Sequence, residues 1–157
     1  MLQGLLYSVE REFDVSIERL WQAWVEAKQL EQWYSPTFLS VVPNSAVSQT
    51  EVGGQWAIAV DVSANGFNAY FWGRYSVVEP HKKLVHTLCY SQDEADFIAR
   101  SDDAPAHEIV IDFERRGDSS WVRFSQFGEM DEEQAEASRE GMESYLENLK
   151  RYLATSD

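Results

Sequence analysis

Cysteine is nearly absent. Cys89 is the only one among 157 residues, which excludes an intrachain disulfide framework or a cysteine zinc cluster and fits a reducing compartment. Basic residues are scarce too, 13 Lys and Arg against 27 Asp and Glu, and the formal charge of −14 repels nucleic-acid phosphates and anionic lipid. No run approaches the ~20 apolar residues of a membrane span, and the first residues carry no basic-then-apolar secretion pattern. The expectation is a soluble, cytoplasmic protein with no nucleic-acid partner. His81, His86 and His107 share no metal-ligand spacing, glycine-rich phosphate cradles are missing, and no serine lies in a Gly-x-Ser-x-Gly pattern. Carboxylates fall mainly in loops and on one helix face, where no glycosidase-like pair forms. No cofactor, metal or catalytic residue is therefore assigned.

Aromatic side chains are abundant: six Trp, seven Tyr and eight Phe in a chain sized for one domain spanning 1–157. So many rings need a cavity or an interface to line. Residues 131–154 read as one long amphipathic helix, with Ala135, Ser138, Met142, Tyr145, Leu146, Leu149, Tyr152 and Leu153 recurring at steps of three and four. Its other face, Glu132, Glu136, Glu140, Glu143, Glu147 and Lys150, points to water. Asp131 with Gln134 fits a capping box. Such a stripe needs a partner surface, and short strands make up most of the remaining chain.

Leu5 to Asp14 reads as the first strand. Ser16 then caps a helix carrying Ile17, Leu20, Trp21 and Trp24, with Val15 and Leu20 placed as a hydrophobic staple. A second short helix, Ala27 to Trp33, stops before Ser35-Pro36. Gln55 to Val62 is the next clear strand. A two-residue turn at Asn65-Gly66 would oppose Val62 to Ala69, Val60 to Phe71, Ile58 to Gly73 and Trp56 to Tyr75, one apolar face assigned to the core. The other face, with Ala57, Ala59, Asp61, Tyr70, Trp72, Arg74 and Ser76, is expected to meet solvent. A loop at Glu79–Lys83 would oppose Val77 to His86 and Tyr75 to Leu88, turning His86, Leu88 and Tyr90 inward, whereas a one-residue slip would reverse all three. Residues 91–105 lack periodicity and read as a long loop. Gly117-Asp118 turns the last hairpin, opposing Phe113 to Val122, Ile111 to Phe124, Ile109 to Gln126 and Asp112 to Arg123.

The fold class is thus α+β: a curved antiparallel sheet of about six or seven strands wrapped on a long C-terminal helix, with two short helices after the first strand. Val15-Ser-Ile-Glu-Arg-Leu-Trp-Gln-Ala-Trp24, Leu30-Glu-Gln-Trp33, Gly53-Gly-Gln-Trp56, Gly73-Arg-Tyr-Ser-Val-Val-Glu-Pro80, Lys83-Leu-Val85 and Gly141-Met-Glu-Ser-Tyr-Leu-Glu-Asn-Leu149 span most of the chain. Through them it resembles the Hsp90-ATPase-activator-homologue-like branch of the START/Bet v 1-like superfamily. That resemblance implies a helix-grip fold whose members bind hydrophobic small molecules between sheet and helix, and a eukaryotic branch that binds a chaperone.

On the sheet, Trp56, Ile58, Phe71, Tyr75, His86, Phe113, Phe124 and Gln126 are the candidate cavity residues. On the helix they are Met142, Tyr145, Leu146 and Leu149. Gly73 and Gly141 withhold side-chain volume from the facing surfaces. The expected ligand is an apolar or aromatic small molecule. A cyclase or hydratase using His86 with Tyr75 or Gln126 is the enzymatic alternative. Tyr70, Trp72, Val78, Val110 and Trp121 form an outer aromatic patch, the basis for expecting a homodimer or a chaperone-type partner.

Overall fold

The computed structural model describes residues 4–155. Strand β1, Leu5–Phe13, is followed by helices α1, Ile17–Val25, and α2, Ala27–Trp33. The strands β2 (Ser40–Val41), β3 (Val47–Ser48), β4 (Gln55–Val62), β5 (Phe67–Glu79) and β6 (Lys83–Ser91) come next, then helix α3, Glu94–Ala99. Strands β7, His107–Arg116, and β8, Ser119–Phe127, lead into helix α4, Glu132–Thr155. The sheet curls as an antiparallel half-barrel in the order β1-β8-β7-β6-β5-β4-β2, and β3 also pairs with β4. This is the helix-grip arrangement. The single domain expected over 1–157 extends at both ends beyond the described residues.

Local chemistry explains the helix ends. Ser16 accepts a hydrogen bond from the Arg19 amide, and Asp131 accepts one from the Gln134 amide at 2.8 Å, so each side chain serves an amide that the first helical turn leaves unpaired. Helix α4 turns Met142, Leu146, Leu149 and Leu153 into the core, and packs on β1 and α2. Arg11 of β1 reaches Glu147 at 3.0 Å and Glu143 at 3.4 Å, tying the strand to the flank of the helix.

The β7–β8 register has the expected pairs, Phe113 with Val122, Ile111 with Phe124, Ile109 with Gln126, and Asp112 opposite Arg123 in a 3.2 Å ion pair. The β4–β5 register does not. Asn65-Gly66 is the end of a longer connection, a 3₁₀ turn at Ser63–Asn65 closed by Gly66 at φ +93°, so Val62 pairs with Phe67, Val60 with Ala69, Ile58 with Phe71 and Trp56 with Gly73. The displacement is two residues, an even number, and the same side chains stay inward.

Between β5 and β6 the loop is shorter than expected: Glu79 pairs with Lys83 and Val77 with Val85. That one-residue slip alone would turn His86 outward, but a bulge between Tyr75 and Val77 reverses it, and His86 stands opposite Tyr75 facing the core. Gly73 serves this same junction. A Cβ there would collide with the Thr87 carbonyl, so its bareness brings two strands together and adds nothing to a cavity.

Residues 91–105 are not one long loop. Asp93 caps α3 through the Ala95 amide, and α3 lays Phe97 on Tyr70 with ring centroids 5.0 Å apart. Trp72 donates its indole N–H to the Ser101 carbonyl at 3.2 Å, and Arg74 meets Asp102 at 2.7 Å. The outer face of β4 and β5 is therefore a second small core of Ala57, Ala59, Tyr70, Trp72, Cys89 and Phe97. Trp72 is 4% exposed, so it presents no aromatic patch to a partner. Trp121, farther along the sheet on β8, lies half-buried beneath the Arg116 and Arg123 guanidinium groups.

Candidate ligand cavity

Beneath the N-terminal half of α4 the sheet and helix separate, leaving a cavity of about 750 Å³. Helix α4 supplies Ser138, Gly141, Met142 and Tyr145, spaced three, one and three residues apart and hence on one face. The sheet supplies Tyr7 from β1, Phe71 from β5, Leu88 and Tyr90 from β6, and Phe124 and Gln126 from β8. Tyr34, the residue after α2, joins the wall, as does His107 at the start of β7. Exposed Tyr90, Pro105, Ala106 and Glu129 mark the mouth. Gly141 sits where a Cβ would meet nothing within 4 Å, so here a missing side chain does leave open volume.

The polar groups are arranged unequally. Tyr7 donates to Gln126 Oε1 at 2.6 Å, and Gln126 Nε2 lies 2.7 Å from His107 Nδ1. With its oxygen taken by the phenol, the amide offers an N–H to the ring; Nδ1 accepts and the neutral imidazole keeps its proton on Nε2. Gly128 lies under that ring, and a Cβ there would strike it. In contrast, the hydroxyls of Tyr34 and Tyr145 make no hydrogen bond among the described residues. Their rings meet edge-on at 5.0 Å between centroids. Burial, with each other's and neighbouring phenols adding repulsion at Tyr34, holds both hydroxyls well above the ordinary phenol pKa, so both stay protonated donors.

Of the twelve candidate residues, Phe71, Phe124, Gln126, Met142 and Tyr145 line this cavity. Trp56, Ile58, Tyr75, His86, Phe113, Leu146 and Leu149 do not; they fill the core beyond it. His86 stacks on Trp56 at 4.3 Å, lies edge-on to Tyr75, and donates Nδ1–H to its neighbour's carbonyl, Thr87 O, at 2.7 Å. Tyr75 directs its hydroxyl to Ser48 Oγ at 2.8 Å, and burial pushes that phenol up to about 12. The His86–Tyr75 pair is thus a packed contact outside the cavity lining. The strand pattern left the orientation of His86 open, since a one-residue slip reverses it, and gave no depth within the curl. Reading residues alone also passes over Tyr7 and Tyr34, and takes His107 only as a histidine without metal-ligand spacing. Tyr7 carried one signal: it shares a strand face with Val9 and Phe13.

The buried histidine makes a pH prediction. Burial drives the His86 imidazole down to about 4, partly offset by its bond to Thr87 O. Above pH ~6.5 both folded and unfolded chains hold it neutral; between ~6.5 and ~4 only the unfolded chain takes up the proton, so stability falls as pH falls. The full loss is about 3 kcal/mol at ~1.36 kcal/mol per unit, of which about 2 kcal/mol falls between pH ~7 and ~5. Glu18, Asp61 and Glu136, whose pKa values are lowered, weaken the fold only at still lower pH. Urea unfolding at the two pH values should show this drop, and a His86→Leu variant should show most of it removed.

The family model described as "Activator of Hsp90 ATPase homolog 1-like protein" matches residues 14–154. No match to a functionally curated protein was found. Among solved structures, the AHSA1 protein of Silicibacter pomeroyi is similar at 23% identity and a TM-score of 0.78, covering 95% of this chain and 97% of that one. A Chromobacterium violaceum protein is similar at 19% identity and a TM-score of 0.76, over 92% and 94% of the two chains. CalU16 of Micromonospora echinospora is similar at 16% identity and a TM-score of 0.63, over 93% of this chain and 74% of that one. At these identities the structures speak for the fold alone. Among the described residues no helix is long and apolar enough to cross a membrane. The chain belongs to the Activator of Hsp90 ATPase homolog 1-like family.

Proposed function

We propose that this protein binds one apolar or aromatic small molecule in the cavity between the sheet and α4, and does so without chemistry of its own. The carrying observation is an open volume of about 750 Å³ under a helix whose Gly141 leaves it unfilled. Its size falls within the ~300–1,000 Å³ typical of ligand sites, and its wall mixes aromatic and aliphatic side chains with a few converging polar groups. The residues offered for acid–base work, His86 and Tyr75, point their polar atoms at Thr87 and Ser48, away from any substrate. The covered face of β4 and β5 gives partner binding no comparable support.

The test is a titration with Nile red, an uncharged aromatic dye. Its emission is expected to rise and saturate at one dye per chain, and a neutral aromatic competitor should reverse the rise. Non-saturating emission across the titration, matching that of an unrelated acidic protein, would remove the reading.

A further inference from the structure

The two free phenols define what kind of molecule the cavity takes. No Lys or Arg is among the residues lining it, and the charged residue at its mouth is Glu129. Arg11 on β1 and Arg139 on α4 are engaged elsewhere: Arg11 with Glu143 and Glu147, Arg139 with Glu136 and Glu143. A carboxylate or phosphate entering this space would lose its water without gaining a counter-charge, inside a chain of formal charge −14. Fatty acids and phospholipid headgroups fit poorly for that reason.

Donors, however, are in excess. The Tyr7 proton is committed to Gln126, and the Gln126 amide to His107. The hydroxyls of Tyr34 and Tyr145 have no protein acceptor, and they come from different elements, the end of α2 and the middle of α4, onto one region of the wall. Neither hydroxyl oxygen is sealed from the cavity, so each is open to a partner that the protein does not supply, and a ligand carrying an acceptor oxygen can take that place. Phe71, Leu88, Phe124 and Met142 offer the rest of the ligand only apolar contact.

We infer that the cavity selects an uncharged ligand, an aromatic or aliphatic body ending in a ketone or ester carbonyl, whose oxygen accepts from the Tyr34 and Tyr145 hydroxyls. This rests on the reading of the cavity as a ligand site. The two phenols are positioned to discriminate by chemistry, while the apolar wall discriminates only by size.

Three naphthalenes substituted at the same ring position separate these contributions: acetylnaphthalene, its apolar isostere ethylnaphthalene, and naphthoate. Calorimetric titration near neutral pH should give tightest binding to acetylnaphthalene, about tenfold tighter than ethylnaphthalene, the equivalent of one net hydrogen bond. Naphthoate should bind more weakly than either. In the double variant Tyr34→Phe with Tyr145→Phe, the two neutral compounds should bind equally, with the ethylnaphthalene affinity unchanged; that unchanged value also shows that the cavity has kept its shape. If ethylnaphthalene and acetylnaphthalene bind the native protein alike, or naphthoate binds tightest, the donor assignment is overturned while the ligand cavity stands. If none of the three binds, both fall together.

Discussion

Replacing Gly141 with phenylalanine is expected to abolish saturable Nile red binding while leaving the protein folded. The position lies mid-helix in α4, its ideal Cβ meets no atom within 4 Å, and it belongs to the cavity wall between Ser138 and Tyr145. A side chain added there meets no packed atoms and borders the cavity. Ordinarily an added ring in a packed core forces strain of about 1–3 kcal/mol; here the ring fills open volume, so that penalty is absent. Gly141→Ala is the matched control. It removes the helix penalty of glycine, worth about 1 kcal/mol, and takes up too little room to exclude a ligand. Urea unfolding should therefore place Gly141→Ala above the native protein by about 1 kcal/mol, with dye affinity within about threefold. Gly141→Phe should be at least as stable as the native chain and show no saturable binding. Native affinity in the phenylalanine variant would place the ligand somewhere other than this cavity.

The same glycine illustrates which parts of the site the sequence made legible. A helix repeats every 3.6 residues, so Gly141, Met142 and Tyr145 could be assigned to one face without knowing what that face meets. The β7–β8 hairpin was legible because its Gly117-Asp118 turn adds no residue, and Asp112 opposite Arg123 supports one register. Asn65-Gly66 carried an equally strong turn signal but belongs to a longer connection, with Asp61 accepting from the Ser63 amide at 2.8 Å. The error preserved the inward face only because it was even. At Glu79–Lys83 the slip was odd, and it took the bulge near Ser76 to return His86 to the core. Neither the loop conformation nor the bulge has a distinct residue signature here.

Long-range closure was the least legible element. Tyr7 reaches Gln126 because β1 pairs with β8, strands at opposite ends of the chain, and no local pattern announces that pairing. Helix α3 escaped for a different reason. It is six residues long with Phe97 as its one buried residue, and so offers no period to detect. Missing it left Trp72 on an apparent outer surface. The Tyr70 and Trp72 part of the expected aromatic patch followed from that omission, since Phe97 covers the tyrosine and the tryptophan indole is satisfied by Ser101 within the same chain.

Trp33→Ala is expected to cost about 3–5 kcal/mol, the range for deleting a fully buried aromatic side chain. Trp33 is 0% exposed at the end of α2, and its ring sits against Trp24 at 4.7 Å and Tyr34 at 5.2 Å between centroids. Its indole N–H donates to the Ala23 carbonyl at 2.9 Å, so truncation leaves a cavity and an unpaired buried acceptor together. For a domain whose whole stability is of the order of 5–15 kcal/mol, that is a large share. Trp33→Phe separates the two contributions: it keeps much of the ring packing, loses the N–H, and should cost about 1–3 kcal/mol. The consequence extends to the site. Asn148 of α4 donates to the Trp33 and Ser35 carbonyls at 3.2 Å each, on either side of Tyr34, and Trp33 packs on that phenol from within the core. Loosening α2 should therefore release Tyr34 from its place beside Tyr145 and reduce the preference for acetylnaphthalene over ethylnaphthalene. Urea midpoints of the native, Trp33→Phe and Trp33→Ala proteins, read beside the calorimetric preference of each, should fall in that order. Unchanged midpoints would mean that Trp33 does not hold α2 to the core; unchanged preference in a destabilised Trp33→Ala protein would mean that α4 alone positions the two phenols.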